Sequence, residues 1–119
     1  MAGWLSFAAT GLGEPEEGAP APDRVLAGTP RFRTWNRYES ADGHVFCGIW
    51  ECTPGKWRVA YEEWESCTLL AGRSVVTPDG SEPVALGPGD TMVLEPGFAG
   101  TWEVVETTRK TYVISTRSA

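Results

Sequence analysis

The chain has 119 residues, with ten Lys and Arg against 16 Asp and Glu and a net charge of −6. This length suits a single domain with its own core, and the acidic balance argues against a nucleic-acid partner, because binding to phosphates needs clustered Lys and Arg. No run approaches the roughly 20 apolar residues that span a bilayer, and the N-terminus lacks the basic start of a signal peptide. We therefore expect a cytoplasmic protein with no membrane partner, whose three cysteines stay reduced.

Residues 1–29 predict an N-terminal arm. The first 30 residues hold six Ala, five Gly and four Pro and show no sustained period of a strand or a helix. Such a composition cannot bury much apolar surface, so we expect the arm to be partly flexible, with Trp4, Leu5 and Phe7 as the residues able to dock. The barrel domain is predicted to span residues 30–119, and removal of the arm is expected to leave the melting midpoint nearly unchanged.

From residue 30 onward the sequence consists of short runs rich in Val, Ile, Trp, Tyr, Phe and Thr, which Gly- and Pro-containing turns separate. These turn residues supply the dihedral angles that tight turns need, and no stretch has the apolar stripe of a helix. The pattern predicts an all-β sandwich or a small barrel such as a jelly roll. The predicted strands lie at about 31–38, 44–52, 56–61, 65–77, 82–86, 90–95, 100–106 and 109–115.

Segments at 65–77, 86–90, 93–97 and 100–104 resemble the two conserved blocks of the cupin superfamily. Further motifs resemble small single-domain cupins grouped with the C-terminal cupin domain of (S)-ureidoglycine aminohydrolase. The resemblance implies a cupin-type jelly-roll β-barrel (RmlC-like), and a homodimer formed through edge strands, which would cover the exposed edges of a small sheet. The further motifs are Trp50-Glu51, Thr53-Pro-Gly-Lys-Trp57, Glu65-x-Cys67, Gly100-Thr-Trp102 and Arg109-Lys-x-Tyr112.

The same resemblance matches the metal ligands of cupins with positions of this sequence. Two His, a Glu and a third His of the general pattern fall on Val59, Tyr61, Glu65 and Gly100. Only the carboxylate is kept, and the aminohydrolase ligands, a Glu, two His and a Gln, are not reproduced at these positions or at Thr101. Because a transition metal needs three or four such ligands, we predict no metal and no other cofactor, with Glu65 and Cys67 remaining as a half-site.

Glu65 is the candidate catalytic acid/base. On a strand it shares a face with Cys67 and Leu69, and the resemblance assigns that face to the barrel interior. A carboxylate inside an apolar barrel must find a partner or shift its pKa upward, so a structural ion pair and a functional acid both stay open. We expect a functional acid without a cationic partner, so that Glu65→Gln would be neutral or stabilising while ligand binding or turnover is lost. The candidate partners are Lys56, Arg58, Tyr61 and Lys110.

The predicted ligand pocket is lined by Trp57, Tyr61, Glu65, Cys67 and Trp102. Aromatic walls with a few polar groups are typical of small-molecule pockets, although the same rings also suit core or interface packing. Cys67 has two interpretations as well, a small buried hydrophobe or a barrel-facing thiol that acts as nucleophile or ligand. Of Arg109 and Lys110, strand alternation sends one side chain inward and the other outward.

Three functions stay open at this point. The first is a cupin-fold protein that binds or senses a small molecule without the usual metal triad. The second, which the resemblance implies, is an enzyme that acts on a small polar metabolite such as a ureide or an amide, with Glu65 as acid/base. The third is a structural or accessory protein with a collapsed barrel. An enzyme needs an open pocket and a tuned acid or base in mutual reach, whereas a binding protein needs only the pocket.

Overall fold

A computed structural model of the chain describes residues 3–117. In this part the chain forms nine strands and one short 3-10 turn, Pro22–Arg24, and no helix is long and apolar enough to cross a membrane. The all-β, single-domain prediction is confirmed. The strands are β1 (Glu16–Gly18), β2 (Val25–Gly28), β3 (Phe32–Glu39), β4 (Val45–Cys52), β5 (Gly55–Ala60), β6 (Trp64–Pro78), β7 (Val84–Leu86), β8 (Thr91–Leu94) and β9 (Ala99–Ser115).

β9 is the central strand of a single antiparallel sheet. One of its edges pairs with β6 along nearly its whole length, from Ser115 opposite Trp64 to Gly100 opposite Pro78. The other edge is shared, because β5 pairs with the first half of β9 and β4 pairs with the second half. β7 and β8 extend the sheet beyond β6, and β3 extends it beyond β4. The sheet therefore curls around one interior.

The sequence pattern predicts two strands, 100–106 and 109–115, where the structure has the single strand β9. At Thr108 the chain passes from β5 to β4, while its pairing with β6 continues through a series of register shifts. Thr108 has 0% of its surface exposed, and its hydroxyl lies 2.8 Å from the hydroxyl of Ser74. A polar run that resembles a turn thus continues the strand, because Thr108 is buried with its hydroxyl bonded inside the sheet, while Glu106 and Thr107 stay exposed.

The N-terminal arm contributes two strands that its composition does not predict. β1 pairs with β3, and β2 pairs with β5. The stretch before β1 lies across the outer face of the sheet, where the carbonyl of Gly13 accepts a hydrogen bond from Trp35 at 2.9 Å and the carbonyl of Ala9 accepts one from Arg109 at 2.8 Å. Trp35 and Ile49, which pair on that face, are buried. Composition along the arm does not reveal these contacts, because every partner is distant in sequence.

The hydrophobic core occupies part of the interior of the curled sheet. Trp57 and Trp102 lie opposite each other on β5 and β9 and stack with ring centroids 6.2 Å apart. The indole nitrogen of Trp102 donates to the hydroxyl of Ser74 at 3.1 Å, which fixes the orientation of the ring. In residues 3–117 every buried side-chain nitrogen and oxygen has a hydrogen-bond partner. The core residues are Cys52, Trp57, Cys67, Leu69, Val76, Leu86, Leu94, Trp102, Val104 and Tyr112.

Gly72 permits a close approach between β6 and β9. Its φ is +86°, and a Cβ there would lie 2.1 Å from the carbonyl oxygen of Thr107. We expect Gly72→Ala to lower the free energy of unfolding by about 2–4 kcal/mol, because left-handed strain and overpacking add together. Gly80→Ala is the control, since Gly80 has a φ of +76° but nothing within 4 Å of its Cβ, and strain alone costs about 1–2 kcal/mol. Equal losses in urea unfolding would contradict the contact with Thr107.

Candidate functional site

An open cavity of about 970 Å³ lies inside the curled sheet. Its volume is in the range of small-molecule sites. Four aromatic rings form one wall, with neighbouring centroids between 5.3 and 6.4 Å apart. Because β3, β4, β5, β6 and β9 all contribute, the cavity exists only in the folded sheet. The rings are those of Phe32, Trp50, Trp57 and Trp102, and the polar side chains deepest in the wall are Tyr61, Glu65, Lys110 and Tyr112.

A buried ion pair lies in this wall. β6 places Glu65 and β9 places Lys110 on the interior face, where each has only 4% of its surface exposed. The ammonium of Lys110 donates a hydrogen bond to Oε2 of Glu65 at 2.7 Å. The expectation that Glu65 has no cationic partner is therefore wrong, since Lys110, one of its four candidate partners, compensates the buried carboxylate as desolvation requires.

Two indole rings complete the surroundings of the ammonium. The Lys110 nitrogen lies 4.5 Å from the ring centroid of Trp50 and 4.5 Å from that of Trp102. Both distances are well inside the range in which the negative face of an aromatic ring attracts a cation. The charge of Lys110 is thus held by one carboxylate and two aromatic faces.

The two tyrosines in the wall are hydrogen-bonding groups that remain protonated. Burial raises the pKa of Tyr61 well above its usual value, and the charge of neighbouring Glu65 raises that pKa further. Burial also raises the pKa of Tyr112 to about 12. The Tyr112 hydroxyl donates to Oδ1 of Asn36 at 2.8 Å. Neither phenol can therefore offer an anionic oxygen at neutral pH.

The structure places four of the five predicted pocket residues on the cavity wall, namely Trp57, Tyr61, Glu65 and Trp102. Cys67 is the exception. It faces the interior, as the alternation predicts, but it is buried in the core and does not line the cavity. Burial raises the pKa of its thiol, which makes it a poor nucleophile.

The burial of the thiols predicts an order of chemical reactivity. Burial raises the pKa of Cys52 to about 12 and raises that of Cys67, and both side chains have 1% of their surface exposed or less. Cys47 is only partly buried. Because the thiolate is the reactive form, we expect a disulfide reagent to modify Cys47 first and the other two only on unfolding. The Cys47→Ser variant, followed by absorbance, checks this order. Rapid modification of Cys67 in the native protein would contradict its burial.

The sequence leaves Lys110 as one of four candidate partners of Glu65, although strand alternation favours it. Lys110 and Tyr112 lie two residues apart on one strand and therefore share a face. Arg109 points outward, where its guanidinium donates to Glu51 at 2.8 Å. The cavity also has rim residues from the arm, Glu16 and Arg24, which composition alone could not place there.

The rim of the cavity carries excess negative charge. Four glutamates line it, and none of them has an ion-pair partner among the residues that the structure describes. Two arginines also line the cavity, but Arg58 is neutralised by two hydrogen bonds of 2.8 Å to the carboxylate of Asp79, so only Arg24 offsets the four glutamates. The rim therefore disfavours anionic molecules at the entrance. The four glutamates are Glu16, Glu39, Glu62 and Glu63.

The donor set does not fit the transition metal that the cupin pattern implies. Val59 and Gly100 face each other across β5 and β9 and offer no ligand atom. A side chain at Gly100 is also excluded, since a Cβ would lie 2.3 Å from the carbonyl oxygen of Thr77. Within residues 3–117 no three His, Cys, Asp or Glu side chains come together as a metal site. The remaining ligand-type residue, Glu65, is already bound by Lys110.

Comparison with known proteins agrees with this architecture. The profile of the EutQ-like cupin domain matches residues 39–112, which is more than half of the chain. The chain belongs to this cupin family. The predicted cupin-type barrel is thereby confirmed. No curated protein was found to match the sequence of this EutQ-like cupin.

Several solved structures share the fold. A Pseudomonas syringae protein of unknown function in the DUF861 family has a TM-score of 0.77 and 24% identity, with 85% of this cupin and 43% of that chain covered. A DUF861 protein from Thermotoga maritima is 30% identical over 54% of this cupin and 73% of that chain, with a TM-score of 0.52. The putative ethanolamine utilization protein EutQ from Salmonella typhimurium has a TM-score of 0.63 and 17% identity, with 73% and 71% covered. The chain thus spans less than half of the Pseudomonas protein.

The narrower predictions are not tested by these relatives. They support a small EutQ-like cupin domain, and the similarity to the C-terminal domain of (S)-ureidoglycine aminohydrolase stays a prediction. The cytoplasmic location and the homodimer stay predictions as well.

Proposed function

We propose that this cupin binds a small polar molecule in its open cavity without the help of a metal. The observation that carries the proposal is the cavity itself, whose aromatic wall contains the buried Glu65–Lys110 pair. Aromatic surface together with a few fixed polar groups is the usual composition of a small-molecule site. The rings supply area for contact, while the tyrosine hydroxyls and the rim carboxylates supply direction.

The charges of the site favour a neutral or cationic ligand. Lys110 neutralises Glu65 inside the wall, and the rim glutamates repel anions at the entrance. Flat polar groups such as an amide or a ureide can stack on an indole and donate hydrogen bonds to carboxylates. Two structural neighbours are named for small molecules, namely EutQ for ethanolamine utilization and ectoine synthase from P. lautus, which has a TM-score of 0.66 and 14% identity.

Two other functions compete with this proposal. An enzyme that acts on a ureide or an amide would use Glu65 as acid/base, and the position of Glu65 on the cavity wall supports that alternative. The ion pair with Lys110 weakens it, because the carboxylate is already engaged at 2.7 Å. A collapsed structural barrel is opposed by a cavity of about 970 Å³.

A binding screen tests the proposal. Thermal shift and tryptophan fluorescence are measured with ethanolamine, ectoine, ureides, primary amides and amino acids. Trp57→Phe changes the cavity wall, whereas Trp64→Phe is the matched control, because Trp64 does not line the cavity. We expect a ligand to raise the melting temperature of the wild type and of Trp64→Phe, and to bind Trp57→Phe more weakly. The reverse order would place the ligand elsewhere, and release of ammonia from a ureide would favour the enzyme.

Assembly is a separate proposal. We propose a homodimer formed through the edge strands, as in the predicted arrangement. Sedimentation of the full chain measures it, and a monomer at all concentrations would contradict it.

A further inference from the structure

The surroundings of the Lys110 ammonium have the composition of a binding site for an organic cation. One carboxylate oxygen of Glu65 lies 2.7 Å from the nitrogen, and the rings of Trp50 and Trp102 lie 4.5 Å from it. Aromatic faces combined with a carboxylate are how proteins recognise alkylammonium groups. Here the occupant is a side chain of the same chain.

In this barrel the Lys110 ammonium and a metal would compete for the same carboxylate. Glu65 is the residue that matches a metal ligand in the cupin pattern, so the ammonium lies against the carboxylate that a metal would need. The ammonium would repel a second cation at the same carboxylate, because both groups are buried and like charges a few ångströms apart are poorly screened there. Indole faces do not replace the His, Cys or carboxylate ligands of a metal. The site therefore suits an ammonium and opposes a divalent ion.

We propose that Lys110 is the resident cation of this barrel, and that Glu65, Trp50 and Trp102 form a site for a primary alkylammonium group which the chain fills with its own side chain. The proposal rests on the proposed function only in its claim that the cavity works without a metal. Lys110 is then a positioning residue, because its ammonium holds Glu65 and both indoles in place in the wall that a ligand would contact.

Chemical rescue tests the proposal. Lys110→Ala removes three methylene groups and the ammonium, and propylammonium replaces the same atoms. We expect propylammonium to raise the melting temperature of Lys110→Ala saturably, to recover at least half of the temperature lost, and to shift the tryptophan emission toward that of the wild type. Methylammonium should act more weakly, because it leaves part of the space empty. Propanol, which lacks the charge, and sodium chloride at equal ionic strength should have little effect.

The controls separate this site from general effects of salt. Lys56 is the other lysine of the chain, and Lys56→Ala should not respond to propylammonium. The double variant Glu65→Gln, Lys110→Ala lacks the carboxylate and should lose the rescue. If Lys110→Ala does not fold alone, the yield of refolding with propylammonium against propanol gives the same comparison.

Two results would overturn the proposal. One is a response of Lys110→Ala to propylammonium that does not exceed its response to sodium chloride. The other is stoichiometric binding of Mn²⁺ or Zn²⁺ by the wild type that Glu65→Gln abolishes, since this would make a metal the natural cation at Glu65. Neither readout involves the cavity ligand, so a failed ligand screen and a failed rescue are distinguishable.

Discussion

Glu65→Gln is expected to lower the free energy of unfolding by about 3–5 kcal/mol, because the substitution leaves the buried ammonium of Lys110 without a counter-charge. Gln keeps the shape of the side chain, so the loss would measure charge rather than packing. This outcome reverses the expectation from sequence, in which Glu65 has no cationic partner and the same substitution is neutral or stabilising. Urea unfolding, followed by tryptophan fluorescence, measures the change.

Two further variants make this prediction specific. Glu51→Gln removes a carboxylate from the Glu51–Arg109 pair on the outer face, where the side chains are 19% and 30% exposed. Because water reaches that pair, its loss should cost only about 1 kcal/mol. The double variant Glu65→Leu, Lys110→Met replaces both buried charges with apolar groups and should recover much of the stability. A cost for Glu65→Gln no greater than that for Glu51→Gln would contradict the burial of the pair.

Deletion of residues 1–29 is expected to lower the free energy of unfolding by about 3–6 kcal/mol, because it exposes two large apolar side chains whose burial contributes about 1.5–3 kcal/mol each. The deletion uncovers Trp35 and Ile49, which have 6% and 1% of their surface exposed. It also removes β1 and β2 from the edges of the sheet. The expectation from composition was an unchanged melting midpoint, and the hydrogen bonds from Trp35 and Arg109 to the arm are the reason for the revision.

A shorter deletion is the control for the arm. Residues 3–8 are exposed and precede the hydrogen-bonded stretch, so removal of residues 1–8 should change the stability little. Thermal and urea unfolding of both deletions, at several protein concentrations, separate loss of stability from loss of assembly. If both deletions unfold like the full chain, the arm does not stabilise the sheet.

Most strands could be predicted from the sequence because their ends coincide with Gly- and Pro-containing turns. The segment predicted at 44–52 is β4, Val45–Cys52, and that predicted at 65–77 is β6, Trp64–Pro78. The continuity of β9 at Thr108 could not be predicted, because the hydroxyl of Ser74 that satisfies the Thr108 side chain lies 34 residues away. The same limit applies to β1 and β2, whose partners only the folded sheet supplies.

The residue types of the candidate site could be predicted from the sequence better than the ion pair that two of these residues form. Alternation along β6 places Glu65 and Cys67 on one face, but it does not say which part of the interior is cavity and which is core. The two residues lie at different positions along the barrel, so Glu65 lines the cavity while Cys67 packs in the core. Which residue pairs with Glu65 depends on the register between β6 and β9. Glu65 and Lys110 are 45 residues apart in the sequence, so local patterns do not fix that register.

The shared edge of β9 has a consequence for how this protein is made. β4, β5 and β6 are all synthesised before β9, yet each of them pairs with it. Until the segment from Ala99 onward is available, these strands have open edges that can pair with other chains. Closure of such distant pairings is also slow. A nascent chain stalled before Ala99 should therefore be a target for chaperones or for aggregation, and the barrel should close only after β9 has left the ribosome.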